Sequence, residues 1–276
     1  AFSCPYHAWR FATDGRLLTI ADQRKFGELD KSLLGLRELH CEERVGFVWV
    51  CITRGIRFDI DDYLGDMQKE LAGLEADKWF LHGTSRLESA NWKITHDGYL
   101  ESYHHNTVHP NTVGKFTIGN LILHDSFGPH QRLVFGRKSL AELESVPEAQ
   151  WDSVAEAHMR RIHLCFPNLA ISGILGDHCL VSQVFPGPTP ETTITRQTVL
   201  SAREPVTDEQ KAATAAFSDI ALRAVRDEDY AIGFAIQENL RAGALQAFTF
   251  GRNEPGVQHF HKTVDIVMRT PVGQLP

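Results

Sequence analysis

Apolar residues recur along this chain with two different periods, and the switch between them divides it. Up to residue 54 the pattern is short and strand-like. Residues 8–11 and 17–20 flank a turn at Thr13, Asp14, Gly15 and Arg16, and residues 45–52 read as a buried strand. Only 30–36 has a helical character there. Residues 60–71 are amphipathic, 78–89 form a further strand, and 91–105 carry a helical stripe. Wound at about 100° per residue, this last segment sets Trp92, His96, Tyr99 and Tyr103 on one stripe and Asp97, Glu101 and His104 on another. Pro110 biases His109 toward an extended conformation. The helix is therefore expected to stop near His105, and the returning chain to set His109 beside His104.

Strand patterns dominate 115–205, at 127–136, 161–172, 178–185 and 192–202, with turns such as Pro186-Gly187-Pro188 and a helical insert at 139–158. Successive strands with tight turns predict an antiparallel sheet. The remainder is helical. Thr207 and Gln210 form a capping box for a helix to about residue 225, and a second helix begins at Asp227 or its neighbour and runs to Arg241, before Gly243. The pattern predicts an α+β chain with a small β-rich domain over 1–54 and a larger one over 55–276.

Composition narrows the classes of function. Of 276 residues, 42% are hydrophobic and 23% charged, an ordinary globular balance. The net charge of −7, with no basic run, argues against nucleic acid or an anionic membrane as partner. No apolar run approaches the roughly 20 residues of a spanning helix. Five scattered cysteines make a disulfide framework unexpected and a reducing cytoplasm the expected compartment. The chain opens on Ala1 directly into Cys4-Pro5-Tyr6-His7, so the natural protein is expected to continue upstream.

Two motifs carry chemistry. Two imidazoles with one carboxylate on the same side leave coordination positions open for oxygen and substrate, as in non-haem Fe(II) oxygenases. His104 and His109 supply the imidazoles. Fourteen histidines dilute any single pair, but Cys4 and His7 form a second metal-type pair, half of what a Rieske 2Fe-2S centre requires. His105 is expected to point away around the helix toward solvent or an interface. His259 and His261 read as structural, and Pro255-Gly256-Val257 as a turn.

These motifs in this order resemble the Rieske ring-hydroxylating oxygenases. Cys4-Pro5-Tyr6-His7-Ala8-Trp9 is similar to the family's second cluster-ligand pair. Asn91-Trp92-Lys93, followed by Glu101, His104 and His109, is similar to its mononuclear iron motif. The resemblance covers nearly the whole chain and implies the oxygenase α subunit, a Rieske domain followed by a helix-grip, START-like catalytic domain with an antiparallel sheet and long C-terminal helices. It makes Cys4 and His7 cluster ligands and His104 and His109 iron ligands. The third iron ligand in the family is an aspartate opening a late helix before a glutamine. Counting back from Gln237 favours Asp229 over Glu228 and Asp227, at a position where the helix dipole stabilises a carboxylate.

The chain departs from the family pattern in three places. The first cluster pair, Cys-x-His, is absent and is expected upstream of Ala1. Glu101 replaces the usual aspartate, and Asp97-Gly98 replaces a Glu-Asn dipeptide, so that Asp97 becomes a candidate polar group near the iron. By resemblance, Glu101 bridges the iron site to a neighbouring subunit's cluster histidine. The implied cofactors are Fe(II), the [2Fe-2S] cluster and, through a reductase and in some systems a ferredoxin, NAD(P)H. The implied assembly is a homotrimer of α subunits, with a β subunit in some members. An aromatic substrate is the first expectation. An N-alkyl or quaternary ammonium compound is the second, because Glu at the bridge resembles the oxygenases acting on carnitine. A helix-grip binding module and a zinc hydrolase using Glu101 as base are the remaining readings, and Cys4 with His7 speaks against both.

Overall fold

In a computed structural model the chain forms two compact units, Ala1–Tyr63 and Leu64–Pro276. The structure describes residues 1–175, 178–244, 246–271 and 274.

In the first unit β1 (Phe2–Ser3), β2 (Arg10–Phe11) and β3 (Leu17–Thr19) make an antiparallel sheet in that order. β4 (His40–Arg44) and β5 (Phe47–Cys51) form a hairpin whose turn, Val45 and Gly46, takes positive φ. Residues 45–52 are therefore turn and strand rather than one buried strand, and Val48 and Val50 are 67% and 50% exposed. The expected helix at 30–36 is a single 3-10 turn, Lys31–Leu33, capped by Asp30 accepting from the Ser32 amide. The unit extends past residue 54 because the following segment is tied back to β4. His40 Nε2 donates to the Phe58 carbonyl at 2.8 Å, and Arg44 Nε donates to Asp61 at 2.9 Å. α1 (Ile60–Leu64) spans the junction, and α2 (Met67–Ala72) follows.

The second unit is built on a seven-stranded antiparallel sheet from β6 (Phe80–Ser89), β7 (Thr117–Phe127), β8 (His130–Arg137), β9 (Met159–Cys165), β10 (Leu169–Leu175), β11 (His178–Pro186) and β12 (Thr193–Ser201). The order is β6-β12-β11-β10-β9-β8-β7. The apolar run 161–172 is two strands, because the chain turns over 166–168 and β10 pairs back on β9. β7 escapes a period-2 reading because it is an edge strand, paired on one side only and irregular between Thr117 and Ile122. The insert 139–158 is helical as expected, but mostly in 3-10 form: an eight-residue 3-10 helix, Lys138–Ser145, is followed by a 3-10 turn, Glu148–Gln150, by α5 (Trp151–Val154) and by a 3-10 turn, Ala155–His158.

α3 (Trp92–Asp97) and α4 (His105–Val108) precede the sheet hairpins, and α6 (Asp208–Leu222), α7 (Tyr230–Arg241) and α8 (Pro255–Arg269) follow them. The Thr207 capping box is formed as expected. α6 and α7 are joined by a π-helical turn, Arg223–Asp229, so the two form one long helix. This helix lies in the grip of the sheet. Tyr230 contacts Thr195 of β12 through its hydroxyl at 2.7 Å and Tyr99 at 3.1 Å. The segment read as a turn at Pro255 opens α8, with Pro255 in its first turn, where a missing N–H costs nothing. A Cβ at Gly256 would stand 2.6 Å from the Leu100 carbonyl, so only glycine allows this approach. Leu100, Leu133, Phe135, Leu164 and Phe260 form the fully buried centre, each contributing about 1.5–3 kcal/mol by removal from water. Among the described residues no helix is long and apolar enough to cross a membrane.

Candidate metal centre

The histidine segment is not one helix. Asn91 caps α3, its side-chain oxygen accepting from the amides of Lys93 at 3.0 Å and Ile94 at 3.1 Å, and its amide donates to Gln237 of α7 at 2.9 Å. α3 ends at Asp97, and the chain turns before α4 begins at His105. An angular count along a continuous helix fails across that break. Tyr103, counted on the core stripe, is 65% exposed, whereas His105, expected to face outward, is 6% exposed.

The break brings three donors together. The Nε2 atoms of His104 and His109 lie 3.2 Å apart, and Asp229 Oδ1 is 3.5 Å from the first and 2.8 Å from the second. Donors about 2.1 Å from a first-row ion, at right angles to one another, lie about 3 Å apart. The three atoms therefore fit one face of a single divalent metal. This cluster is the group of three or more metal-type side chains found among the described residues.

Asp229 does not open a helix, as expected, but closes the π turn inside one. The helix-dipole argument for its charge therefore falls. The π turn accommodates one extra residue per turn, rotating the positions after it. As a result both Glu228 and Asp229 reach His109: Glu228 Oε2 meets its Nδ1 at 2.5 Å while Asp229 meets its Nε2. Asp227 instead pairs with Arg226 at the surface. Thr112 donates to Glu228 at 2.5 Å. Glu101 does the same service for His104, one oxygen on Nδ1 and the other on the backbone amides of Tyr103 and His104.

Carboxylates at both Nδ1 atoms fix which ring nitrogen is free to ligate. They also set the electrostatics. Burial opposes a charge on His104, but hydrogen bonds to Asp229 and Glu101 outweigh it and push its pKa up to about 10. His109 is likewise raised against the effect of burial by Asp229 and Glu228, and Asp229, despite burial, is held below the usual carboxylate range by both histidines. The negative field that draws protons onto the imidazoles also draws a divalent cation. His105 is different: burial, then the charge of His104, pushes it down to about 2, and it stays neutral. Glu228 figured in the sequence only as a rival ligand, and no sequence signal singled out Thr112.

A cavity of about 150 Å³ opens beside the three donors, lined by Tyr99, His105, Phe116, Phe135, Ile162 and Phe217, with Arg137 and Arg160. Asp97 is not part of this lining. It pairs with His261 at 2.9 Å, and burial raises its pKa. In the first unit Cys4 and His7 stand in one turn, where Ala8 N–H donates to the Cys4 carbonyl at 3.0 Å. The amides of Tyr6 and His7 lower the Cys4 thiol pKa, which favours the ligating thiolate. One thiol and one imidazole suit half of a cluster and cannot complete it.

An antiparallel sheet packed against a long helix beside two histidines and one aspartate points to the class of non-haem iron oxygenases. The catalytic-domain model of the ring-hydroxylating alpha subunits matches residues 76–270, and the chain belongs to that family. It is 27% identical to the carnitine monooxygenase oxygenase subunit of Escherichia coli, over 97% of this chain and 71% of that subunit. It is also 35% identical over 120 residues to the large subunit of anthranilate 1,2-dioxygenase of Acinetobacter baylyi, covering 41% of this chain and only 25% of that subunit. A quaternary ammonium Rieske monooxygenase solved with L-carnitine shares the fold, with a TM-score of 0.73 at 20% identity, over 95% of this chain and 70% of that one. Dicamba monooxygenase shares it with a TM-score of 0.59 at 12% identity, over 97% of this chain and 81% of that one. Family membership leaves the binding-module and zinc-hydrolase readings without support.

Proposed function

We propose that the chain supplies the iron centre of a Rieske monooxygenase acting on a quaternary ammonium or other N-alkyl substrate, in place of the aromatic substrate first expected. The observation that carries this reading is the match to the carnitine monooxygenase subunit over 97% of the chain. The match to the anthranilate enzyme is confined to 41% of it. The rings of Tyr99, Phe116, Phe135 and Phe217 supply the apolar and π surface that methylated ammonium groups favour.

In this reading His104, His109 and Asp229 hold Fe(II), which activates dioxygen when electrons reach it from NAD(P)H through a reductase and a Rieske centre to which Cys4 and His7 contribute. Glu101 and Glu228 keep the histidine Nε2 atoms turned to the metal, and the apolar lining excludes water. Alpha subunits assemble as a ring, commonly a trimer, so that each iron site receives electrons from a neighbour's cluster. The test is substrate-dependent consumption of NADH and dioxygen by the full-length subunit with a reductase. L-carnitine or glycine betaine should stimulate it. Stimulation by anthranilate or benzoate alone would return the assignment to the aromatic class.

Glu101 is the residue through which this assembly would act, because it already holds the inner nitrogen of His104. In the full-length enzyme Glu101→Gln should keep mononuclear iron yet slow its reduction about 10–100-fold, with Glu101→Asp milder. Single-turnover reduction at the parent rate in Glu101→Gln would remove the bridge from Glu101.

A further inference from the structure

We infer that Arg160, assisted by Arg137, anchors a carboxylate of the substrate inside the cavity, so that the molecule oxidised is an acid or a zwitterion rather than a simple cation. This rests on the oxygenase reading of the site and narrows its substrate class.

The two arginines reach the cavity by strand register. Phe135 of β8 pairs with Arg160 of β9, and Ile162, two residues on, shares its face and pairs with Ser172 of β10. Arg160 is thus one of a row of sheet residues lining the cavity with Phe135, Ile162 and Leu180, and Phe217 of α6 lines it as well. Arg161, on the opposite face, has an ordinary partner in Glu156. Arg132, on β8, has two, Asp125 at 2.8 Å and Glu70 at 2.6 Å.

Arg160 has none: its Nε is buried and meets no acceptor, and among the described residues neither Arg160 nor Arg137 forms an ion pair. Among the described residues Arg137 is held only by the Ala157 carbonyl, at 3.1 Å. Leaving a guanidinium enclosed among apolar side chains is costly unless something pairs with it. Burial already draws its pKa down to about 10, Asp229 offsetting this and Arg137 adding to it. A planar fork with free N–H groups is matched by a carboxylate, which accepts two parallel hydrogen bonds. Two guanidiniums also repel a bare ammonium ion. A methylated ammonium substrate therefore fits this cavity only with its own carboxylate turned to Arg160 and its alkyl groups against the aromatic rings. A cavity of this size accepts a benzene-sized molecule.

The test uses the 276-residue chain loaded with Fe(II), and titration calorimetry with glycine betaine, L-carnitine, benzoate and anthranilate, each beside its methyl ester, and with choline. At least one acid should bind, its ester at least about tenfold more weakly, and choline not at all. Arg160→Gln should abolish that preference, Arg160→Lys restore part of it, and Arg137→Gln reduce it less. Arg160→Met, which removes the unpaired charge, should melt at or above the parent temperature; an arginine serving only the fold would melt lower in both variants and bind acid and ester alike. Binding of benzoate or anthranilate through Arg160, with no binding of either betaine, keeps the anchor and sinks the quaternary ammonium reading. Binding of a betaine unaffected by Arg160→Gln keeps that reading and overturns the anchor. Failure of all four acids to bind overturns the anchor as well.

Discussion

Replacing His109 with alanine is expected to strip mononuclear iron from the protein while leaving the sheet folded. The imidazole is 2% exposed and stands between two carboxylates, Asp229 on one nitrogen and Glu228 on the other. Its removal leaves His104 and Asp229, too few donors for a facial site, and frees Glu228 to swing. Removing outright the group that hydrogen-bonds a ligating histidine lowers metal affinity about 10–100-fold, so loss of the ligand itself should exceed about 100-fold. Glu101→Gln, by contrast, keeps an acceptor on His104. His105→Ala is the matched control. That ring is as buried and lies in the same cavity, but its Nδ1 touches no partner and its Nε2 is not part of the donor set. Iron per chain, measured after Fe(II) reconstitution and desalting, should fall to background in His109→Ala and stay near one in His105→Ala. Stoichiometric iron in His109→Ala would remove the triad.

The second large effect is expected at Gly114, which has no chemistry of its own. Its amide donates to the His109 carbonyl at 3.0 Å. A Cβ added there would stand 2.5 Å from the carbonyl oxygens of both His105 and His109. Those are rigid backbone atoms at the two ends of α4, so the overlap can be relieved only by moving the ligand segment. Overpacking of this kind costs roughly 1–3 kcal/mol, or a fall in melting temperature of roughly 3–10 °C for a unit of this size. Fe(II) affinity should fall with it. Gly83→Ala, where nothing lies within 4 Å of the new atom, should melt within about a degree of the parent. A Gly114→Ala protein with parent melting temperature and parent iron affinity would show that α4 yields freely.

The elements visible in the sequence were those whose signal is local. The Thr207 and Gln210 capping box needs only its own four residues, and it formed. The antiparallel sheet was legible because its inner strands bury alternate side chains, as β12 does from Thr193 to Ser201. What was lost depended on contacts the sequence does not display. Residues 91–105 carry a full helical stripe, yet Asn91 is tied to Gln237 and the helix stops at Asp97. That break, invisible to a periodicity count, placed His105 in the cavity and Tyr103 in solvent. α8 was hidden because Pro255 and Gly256 read as turn residues, although proline suits a first helical turn and Gly256 is demanded by Leu100. Asp229 was favoured by resemblance and by a helix-dipole argument that the structure removes. The reason it reaches His109, a π turn, has no residue signature.

That π turn gives the site an unusual genetic footing. A π turn is an α-helix with one residue too many, held open because something outside rewards the distortion. The α-helical turns on either side, from Asp208 to Leu222 and from Tyr230 to Arg241, need no such residue to keep packing. Deleting one codon between Arg223 and Asp229 would close the helix into a regular one. The carboxylate facing the histidines would then be rotated by about 100° relative to the turn before it. The proposed metal centre would thus be extinguished by a change in reading length of a single triplet, with the codons for His104, His109 and Asp229 intact.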